Sequence, residues 1–109
     1  MTGREMLIAA GRAVGHDQDP TFLPLVECGY WNPRVDSGQN FQLAAALRIS
    51  VEHNDPYDHH PWVCASVWTD GDSSEQQYLE DVPDESQRAD RMRLAILRCA
   101  AAQAPKEGV

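Results

Sequence analysis

WVCASVWT, the stretch from Trp62 to Thr69, decides the fold. It is rich in valine and tryptophan, which favour β-strands, and turn-forming residues lie on either side of it. Because successive side chains of a strand point to opposite faces, Val63, Ala65 and Val67 share one face. The opposite face carries Trp62, Cys64, Ser66 and Trp68. The stretch therefore predicts a strand with one aliphatic face and one face that carries two indoles.

Further strands are predicted before and after this stretch. Residues 49 to 53 alternate apolar and polar side chains, and turn chemistry follows at 54 to 58. Asp70-Gly71-Asp72 is a turn signal, and Gln76 to Val82 is expected to pair back as a third hairpin strand. A short strand is also expected over Phe22 to Tyr30, with Pro24 at its start or edge.

Three helices are predicted. The first covers Thr2 to Val14, because Thr2 and Glu5 stand in the positions of a capping box. The second runs from a cap at Asp36 or Ser37 to about Leu47. The last covers about Glu85 to Gln103, and a helix with apolar residues on two sides packs in two places or joins an interface. Those residues are Met92, Ile96 and Cys99 on one side, and Leu94 and Leu97 on another.

The predicted order of elements is α-β-α-β-β-(β)-α. This order indicates a small α+β fold, in which helices cover an antiparallel sheet of about three strands. The 109 residues fit a single domain, 1–109, in which residues 104–109 are expected to form a frayed tail.

Charge is unevenly distributed along the chain. Residues 49 to 87 contain ten carboxylates and no Lys or Arg, whereas the other 70 residues carry seven acids and nine bases. The formal net charge of -8 therefore comes from one segment. A field of this sign attracts basic protein surfaces and repels phosphate, which argues against direct nucleic-acid binding. Arg88, Arg91 and Arg98 are expected to pair with this segment within the chain, and mere solubility remains an alternative role for the acids.

The N-terminal sequence and the spacing of the cysteines indicate the cellular compartment of the protein. The apolar run at residues 6 to 10 is too short for a signal peptide, and no stretch approaches the ~18 apolar residues that span a membrane. Cys28, Cys64 and Cys99 are widely spaced and lie outside any C-x-x-C pattern, which predicts buried reduced thiols. We expect a cytoplasmic protein.

Two tryptophans and a group of acids form the candidate partner-binding site. Trp62 and Trp68 are six residues apart and therefore share a face of their strand. Two arrangements remain open: the indoles form the core, or they are exposed and surrounded by acids, as in a protein-binding hot spot. The candidate partner-binding residues are Asp70, Asp72, Glu75, Glu80, Asp81, Trp62 and Trp68.

A second cluster consists of potential metal ligands. Imidazole and carboxylate groups are common ligands of first-row metals, and a turn can gather several of them. The spacing matches no known closed site, so we expect neither a metal nor a cofactor. No nucleophile motif or phosphate-binding glycine loop accompanies the cluster. Its residues are His53, Asp55, Asp58, His59 and His60.

Several short motifs resemble those of small phage and prophage proteins. These are the turn Trp31-Asn32-Pro33, the Asp36-Ser37-Gly38 spacer, and the run from Leu43 to Val51. The run from Arg91 to Ala102 is similar to their closing R-x-A-I-x-R-A-A helix. The chain thus resembles the NinX-like family of lambdoid phages over residues 2–15, 30–51 and 88–103. That resemblance implies a phage or prophage origin and a bacterial cytoplasmic location, without implying an activity.

These observations favour a non-enzymatic phage protein that binds a basic surface of a host protein. A small acidic domain can occupy the Lys/Arg groove of a nucleic-acid-handling complex in competition with phosphate. Inhibition of a host defence system such as CRISPR–Cas is the specific hypothesis. Two alternatives remain: a small metal-dependent enzyme that uses His53, Asp58, His59 and His60, and an oligomeric structural or regulatory protein. In the latter, the last helix would supply a homodimer face.

Overall fold

The sheet is built around the stretch that begins at Trp62. In the computed structural model, which describes residues 1–68 and 75–105, this stretch is the central strand of three. The strands are β1 (Ser50–His53), β2 (Trp62–Trp68) and β3 (Glu75–Asp81). Both pairings are antiparallel, so the predicted sheet is confirmed. The turn predicted at Asp70-Gly71-Asp72 lies outside the described residues.

Local sequence signals set the helix boundaries. The helices are α1 (Gly3–Ala13), α2 (Phe22–Glu27), α3 (Ser37–Leu47) and α4 (Arg88–Ala102), with 3-10 turns at His16–Gln18 and Glu85–Gln87. The capping box before α1 is confirmed, because Thr2 Oγ1 accepts from the N–H of Glu5 and Glu5 Oε1 accepts from the N–H of Thr2, both at 3.1 Å. Asp36 caps α3, as expected. None of the described helices is long and apolar enough to cross a membrane.

The strand predicted over Phe22 to Tyr30 is wrong, because helix α2 occupies this part of the chain. Its buried residues are Phe22 and Val26, one helical turn apart. Pro24 lies in the first turn, where the backbone N–H has no helical partner to lose. The alternation of Val26 with its neighbours was too short to distinguish a strand from a helix.

Helix α4 lies at the centre of the core. It packs against α1 and α3 and across β2 and β3. Ala95, Leu97 and Ala100 are at most 1% exposed, and Ile96 is also buried. The apolar residues expected on two sides of this helix are therefore covered by helices on one side and by the sheet on another.

The three cysteines differ in their surroundings, although all are free thiols. Cys64 and Cys99 are buried, as predicted, whereas Cys28 is exposed, so its predicted burial is wrong. Cys28 follows α2 directly, in the turn that replaced the expected strand. Burial raises the pKa of the Cys64 thiol and raises that of Cys99 to about 11. Both buried thiols are therefore protonated and poor nucleophiles at neutral pH.

Candidate protein-binding surfaces

The two faces of the sheet differ in what covers them. Val63 and Ala65 are fully buried against the core that α4 shares with the sheet, and Val67 packs against the same core. On the opposite face, Trp68 is 65% exposed and Leu79 is 55% exposed. Of the two arrangements left open by the sequence, the structure therefore has the one in which the aliphatic side chains form the core.

The uncovered side, here called the open sheet face, combines apolar and acidic groups. Cross-strand pairing places Glu52, Cys64 and Leu79 in one row across the three strands. A pocket of about 450 Å³ opens over Cys64. The residues of the open sheet face are Ser50, Glu52, Trp62, Cys64, Ser66, Trp68, Glu75, Gln77, Leu79 and Asp81, of which the central Cys64 and Ser66 are buried.

Trp62 is held at one end of the open sheet face by the loop that precedes it. Its Nε1–H donates to Asp58 Oδ2 at 3.3 Å, and Asp58 Oδ1 accepts from the N–H of His60 at 2.9 Å. The His60 N–H, followed by the Trp62 indole, lowers the pKa of Asp58 because both donate to the charged carboxylate. The indole is thus half-buried and fixed in orientation, and Asp58 stays ionised beside it.

The predicted partner-binding residues within the described part of the chain lie on both faces of the sheet. Trp62 and Asp81 lie on the open sheet face at one end of β2 and β3, and Trp68 and Glu75 lie on the same face at the other end. Glu80 pairs with Val63, and its side chain is only 15% exposed on the helix-covered side. Asp70 and Asp72 lie outside the described residues.

Two of the three arginines pair with the acidic segment, as expected. Arg98 forms an ion pair with Glu80, and its guanidinium lies 5.6 Å from the centre of the Tyr78 ring. Arg88 forms an ion pair with Glu85 at 2.8 Å. Arg91 Nε is buried and has no hydrogen-bond partner in the described part of the chain. The carboxylate of Glu80 is therefore paired with a cation, whereas Glu75 Oε2 accepts a hydrogen bond from Gln77 Nε2 at 3.5 Å, and neither Glu75 nor Asp81 forms an ion pair within the described residues.

The histidine cluster is divided between two sides of the molecule. His53 belongs to β1, and its Nδ1 lies 3.1 Å from Arg88 Nη1. His59 and His60 lie in the exposed loop before β2, where His60 reaches the rim of the pocket over Cys64. Within residues 1–68 and 75–105, no three His, Cys, Asp or Glu side chains are placed to hold a metal ion.

A second surface, which we call the edge groove, lies between α3, β1 and α4 on the other side of the sheet. Its volume is about 760 Å³. Phe41 and Val51 lie in this groove and are 72% and 47% exposed. The other apolar lining residues are Ala44, Ala45, Ile49, Ala89, Met92 and Ile96.

Sequence reasoning missed two parts of these surfaces. Leu79 and Glu52 belong to the open sheet face. Leu79 lies two residues from Asp81 on β3 and therefore shares its face, and Glu52 shares the face of Cys64 because the two residues pair across β1 and β2. The edge groove had no comparable signal, because it depends on how α3 and α4 pack beside β1. Comparison of the chain with protein-family models, curated proteins and solved structures found no match.

Proposed function

We propose that this chain acts by binding a basic surface of another protein through its open sheet face, and not by catalysis. The observation that carries the proposal is that exposed Trp68 and Leu79 share this face with carboxylates. Large apolar side chains supply most of the binding energy of an interface, and the charges around them select and orient the partner. The carboxylates belong to Glu52, Glu75 and Asp81.

Charge complementarity gives the chemistry of the partner. The three strands contain no Lys or Arg, so no neighbouring cation within the sheet neutralises the carboxylates. Such a surface attracts Lys and Arg side chains over a distance and repels nucleic-acid phosphates. The partner is accordingly a protein whose own exposed surface is basic and whose contact site accepts an indole.

Proteins that handle nucleic acids carry basic surfaces of this kind. An acidic protein bound to such a surface competes with the phosphate backbone and would therefore inhibit nucleic-acid binding. The resemblance of the Trp31-Asn32-Pro33 turn and the C-terminal helix to NinX-like phage proteins supports a phage or prophage origin. The proposed target is therefore a nucleic-acid-handling complex in the cytoplasm of a bacterial host, with a defence system such as CRISPR–Cas as the specific candidate.

The experiment compares two charge reversals that change the net charge equally. Wild type, Glu75→Lys and Asp17→Lys are used to capture proteins from bacterial lysate, captured proteins are identified, and the affinity of each purified partner is measured. Asp17 is an exposed acid away from the sheet, in the 3-10 turn after α1.

The proposal expects a basic partner whose binding is lost with Glu75→Lys and retained with Asp17→Lys. Its affinity also falls between low salt and about 0.5 M salt, because exposed charge contacts are screened. Equal effects of the two reversals, or an affinity that salt does not change, would overturn the assignment to the open sheet face.

A further inference from the structure

The backbone groups of β1 that face away from β2 can be identified from two hydrogen bonds. The N–H of Asn54 donates to the carbonyl oxygen of Trp62 at 3.2 Å, so the backbone of Asn54 faces β2. The N–H of Ile49 donates instead to the carbonyl oxygen of Ala44 in α3, at 2.9 Å. Backbone groups alternate in direction along an antiparallel strand, so Val51 and His53 also direct their N–H and C=O away from β2. Since β1 is an edge strand, these groups have no strand partner among residues 1–68 and 75–105.

The edge groove lies directly beside those unpaired groups. The side chain of Val51 enters the groove from β1, and that of Phe41 enters it from α3. α3 packs mainly on α4 and makes few contacts with the strands, so an open groove separates α3 from β1. The space beside β1 therefore has a row of backbone donors and acceptors next to an apolar wall.

We propose that β1 accepts an extended strand from a partner protein as a fourth strand of the sheet. The partner strand would bond to the N–H and C=O of Val51 and His53, and every second side chain would enter the edge groove. The intervening side chains would lie on the open sheet face beside Glu52, where a Lys or Arg is favoured across the strands. The bound segment thus alternates apolar and basic residues, and its basic half rests on the function proposed above.

A second copy of this chain fits the site less well than a separate strand does. In a two-fold antiparallel pairing of β1 with β1 of another copy, the α3 helices of both copies would lie on the same face of the joined sheet, beside the two paired edge strands. The two helices would then compete for the same space, because neighbouring strands are only about 4.8 Å apart whereas packed helices need about 8 to 10 Å. A strand without its own covering helices avoids this conflict.

The test uses a synthetic eight-residue peptide of alternating valine and lysine as the probe. We expect binding that protects the amide hydrogens of Val51 and His53 from solvent exchange, while that of Glu52, already within the sheet, changes little. The same peptide with N-methyl groups on its valine amides, which face β1 when the valines enter the groove in antiparallel pairing, should bind at least about tenfold more weakly, because it cannot complete the ladder. A peptide of alternating valine and glutamate should also bind weakly, because it places carboxylates beside Glu52.

Two protein variants locate the peptide. Val51→Pro removes an N–H that makes no bond to β2, so the sheet is retained while strand addition is blocked. Phe41→Ala removes one wall of the groove, and Tyr30→Ala, an equally exposed aromatic outside the groove, is its control. Both groove variants should weaken peptide binding at least about tenfold, and the Tyr30 variant should not.

Equal binding of the N-methylated peptide, or unchanged exchange at Val51 and His53, would overturn the proposal. A concentration-dependent dimer that protects the same amides would overturn it in favour of a second copy. The Glu75→Lys variant separates this inference from the proposed function. Glu75 lies on β3, away from the β1 edge, so the variant should bind the peptide normally even if binding of the basic partner is lost.

Discussion

The guanidinium of Arg88 lies 2.7 Å from Asn54 Oδ1, and this contact joins the start of α4 to the loop between β1 and β2. The same guanidinium donates to the carbonyl oxygen of Trp62 at 3.2 Å and to Glu85 at 2.8 Å. Asn54 Oδ1 in turn accepts from the N–H of Trp62 at 3.1 Å. One side chain therefore fixes the position of the helix relative to the first residue of the central strand.

Replacing Arg88 by methionine should destabilise the protein more than the same change at Arg4. Arg88→Met removes the donor to Glu85, one of the two donors to Asn54 Oδ1 and a donor to the carbonyl oxygen of Trp62, whereas Arg4 forms a surface pair with Glu27. Urea midpoints of the two variants give the comparison. Equal midpoints would show that the Arg88 contacts contribute no more than a surface ion pair.

Val63→Asp should unfold the domain. Val63 is 0% exposed, and an unpaired carboxylate at this position costs more than about 3 kcal/mol. Val35→Asp is the control, because Val35 is 65% exposed and the change there should cost about 0.5 kcal/mol or less. The measurement is thermal unfolding followed by circular dichroism, and a cooperative wild-type melt of Val63→Asp would contradict the assignment of the strand faces.

Gly11→Ala should lower the free energy of unfolding by about 1 to 3 kcal/mol, although alanine is the better helix former. A Cβ at Gly11 would overlap the ring of Phe22. That ring is buried and packs against Trp31, with the ring centroids 5.2 Å apart, so it has little room to move. Gly3→Ala in the same helix meets nothing within 4 Å and should be neutral or stabilising. Chemical denaturation of both variants tests this difference, which should disappear if Phe22 is free to shift.

Trp68→Phe should remove most of the tryptophan fluorescence that acrylamide quenches readily. Trp68 is 65% exposed, whereas Trp31 packs against the core and Trp62 is half-buried. Stability should change by only about 0.5 kcal/mol, because little of the side chain is buried. If the readily quenched fluorescence is retained in Trp68→Phe and lost in Trp31→Phe, the exposed indole is that of Trp31 and not that of Trp68.

Asp90 should make stability depend on pH through its pairing with Arg34. Arg34 Nη1 and Nη2 donate to the two carboxylate oxygens at 2.7 and 3.2 Å, which lowers the pKa of Asp90. A lowered folded-state pKa adds stability above the unfolded pKa, and that stability is lost as the pH falls through the folded value. Asp90→Asn should therefore be less stable than wild type at about pH 7, with a smaller difference at about pH 3. Urea midpoints at both pH values measure this, with Asp17→Asn as the exposed control, and a difference independent of pH would exclude the charge of Asp90 as its source.

The parts of the fold that could be predicted depend on neighbours in sequence. The capping box of Thr2 and Glu5 and the alternation from Trp62 to Trp68 are local patterns, and both appear in the structure. The strand predicted from Phe22 onward was wrong because a six-residue element, here helix α2, contains too few apolar positions to separate a period of 2 from one of 3.6.

The acids of β3 show why the site could be predicted only in part. Glu80 and Asp81 are adjacent in sequence, yet they lie on opposite faces of the sheet. A count of charges does not distinguish them. The strand register places Glu80 where it forms an ion pair with Arg98, whereas Asp81 is exposed on the opposite face. The edge groove could not be predicted at all, because no single segment contains its walls.

The alternation along β1 has a consequence for the sequence of the strand that we propose to add there. In the proposed strand addition, the backbone bonds to Val51 and His53 do not depend on which side chains the added strand carries, so a single substitution other than to proline leaves them intact. A one-residue insertion or deletion in the bound segment, by contrast, exchanges the side chains that enter the groove with those beside Glu52. The proposed strand addition therefore predicts that a one-residue change in the length of the bound segment reduces binding more than a single side-chain substitution does.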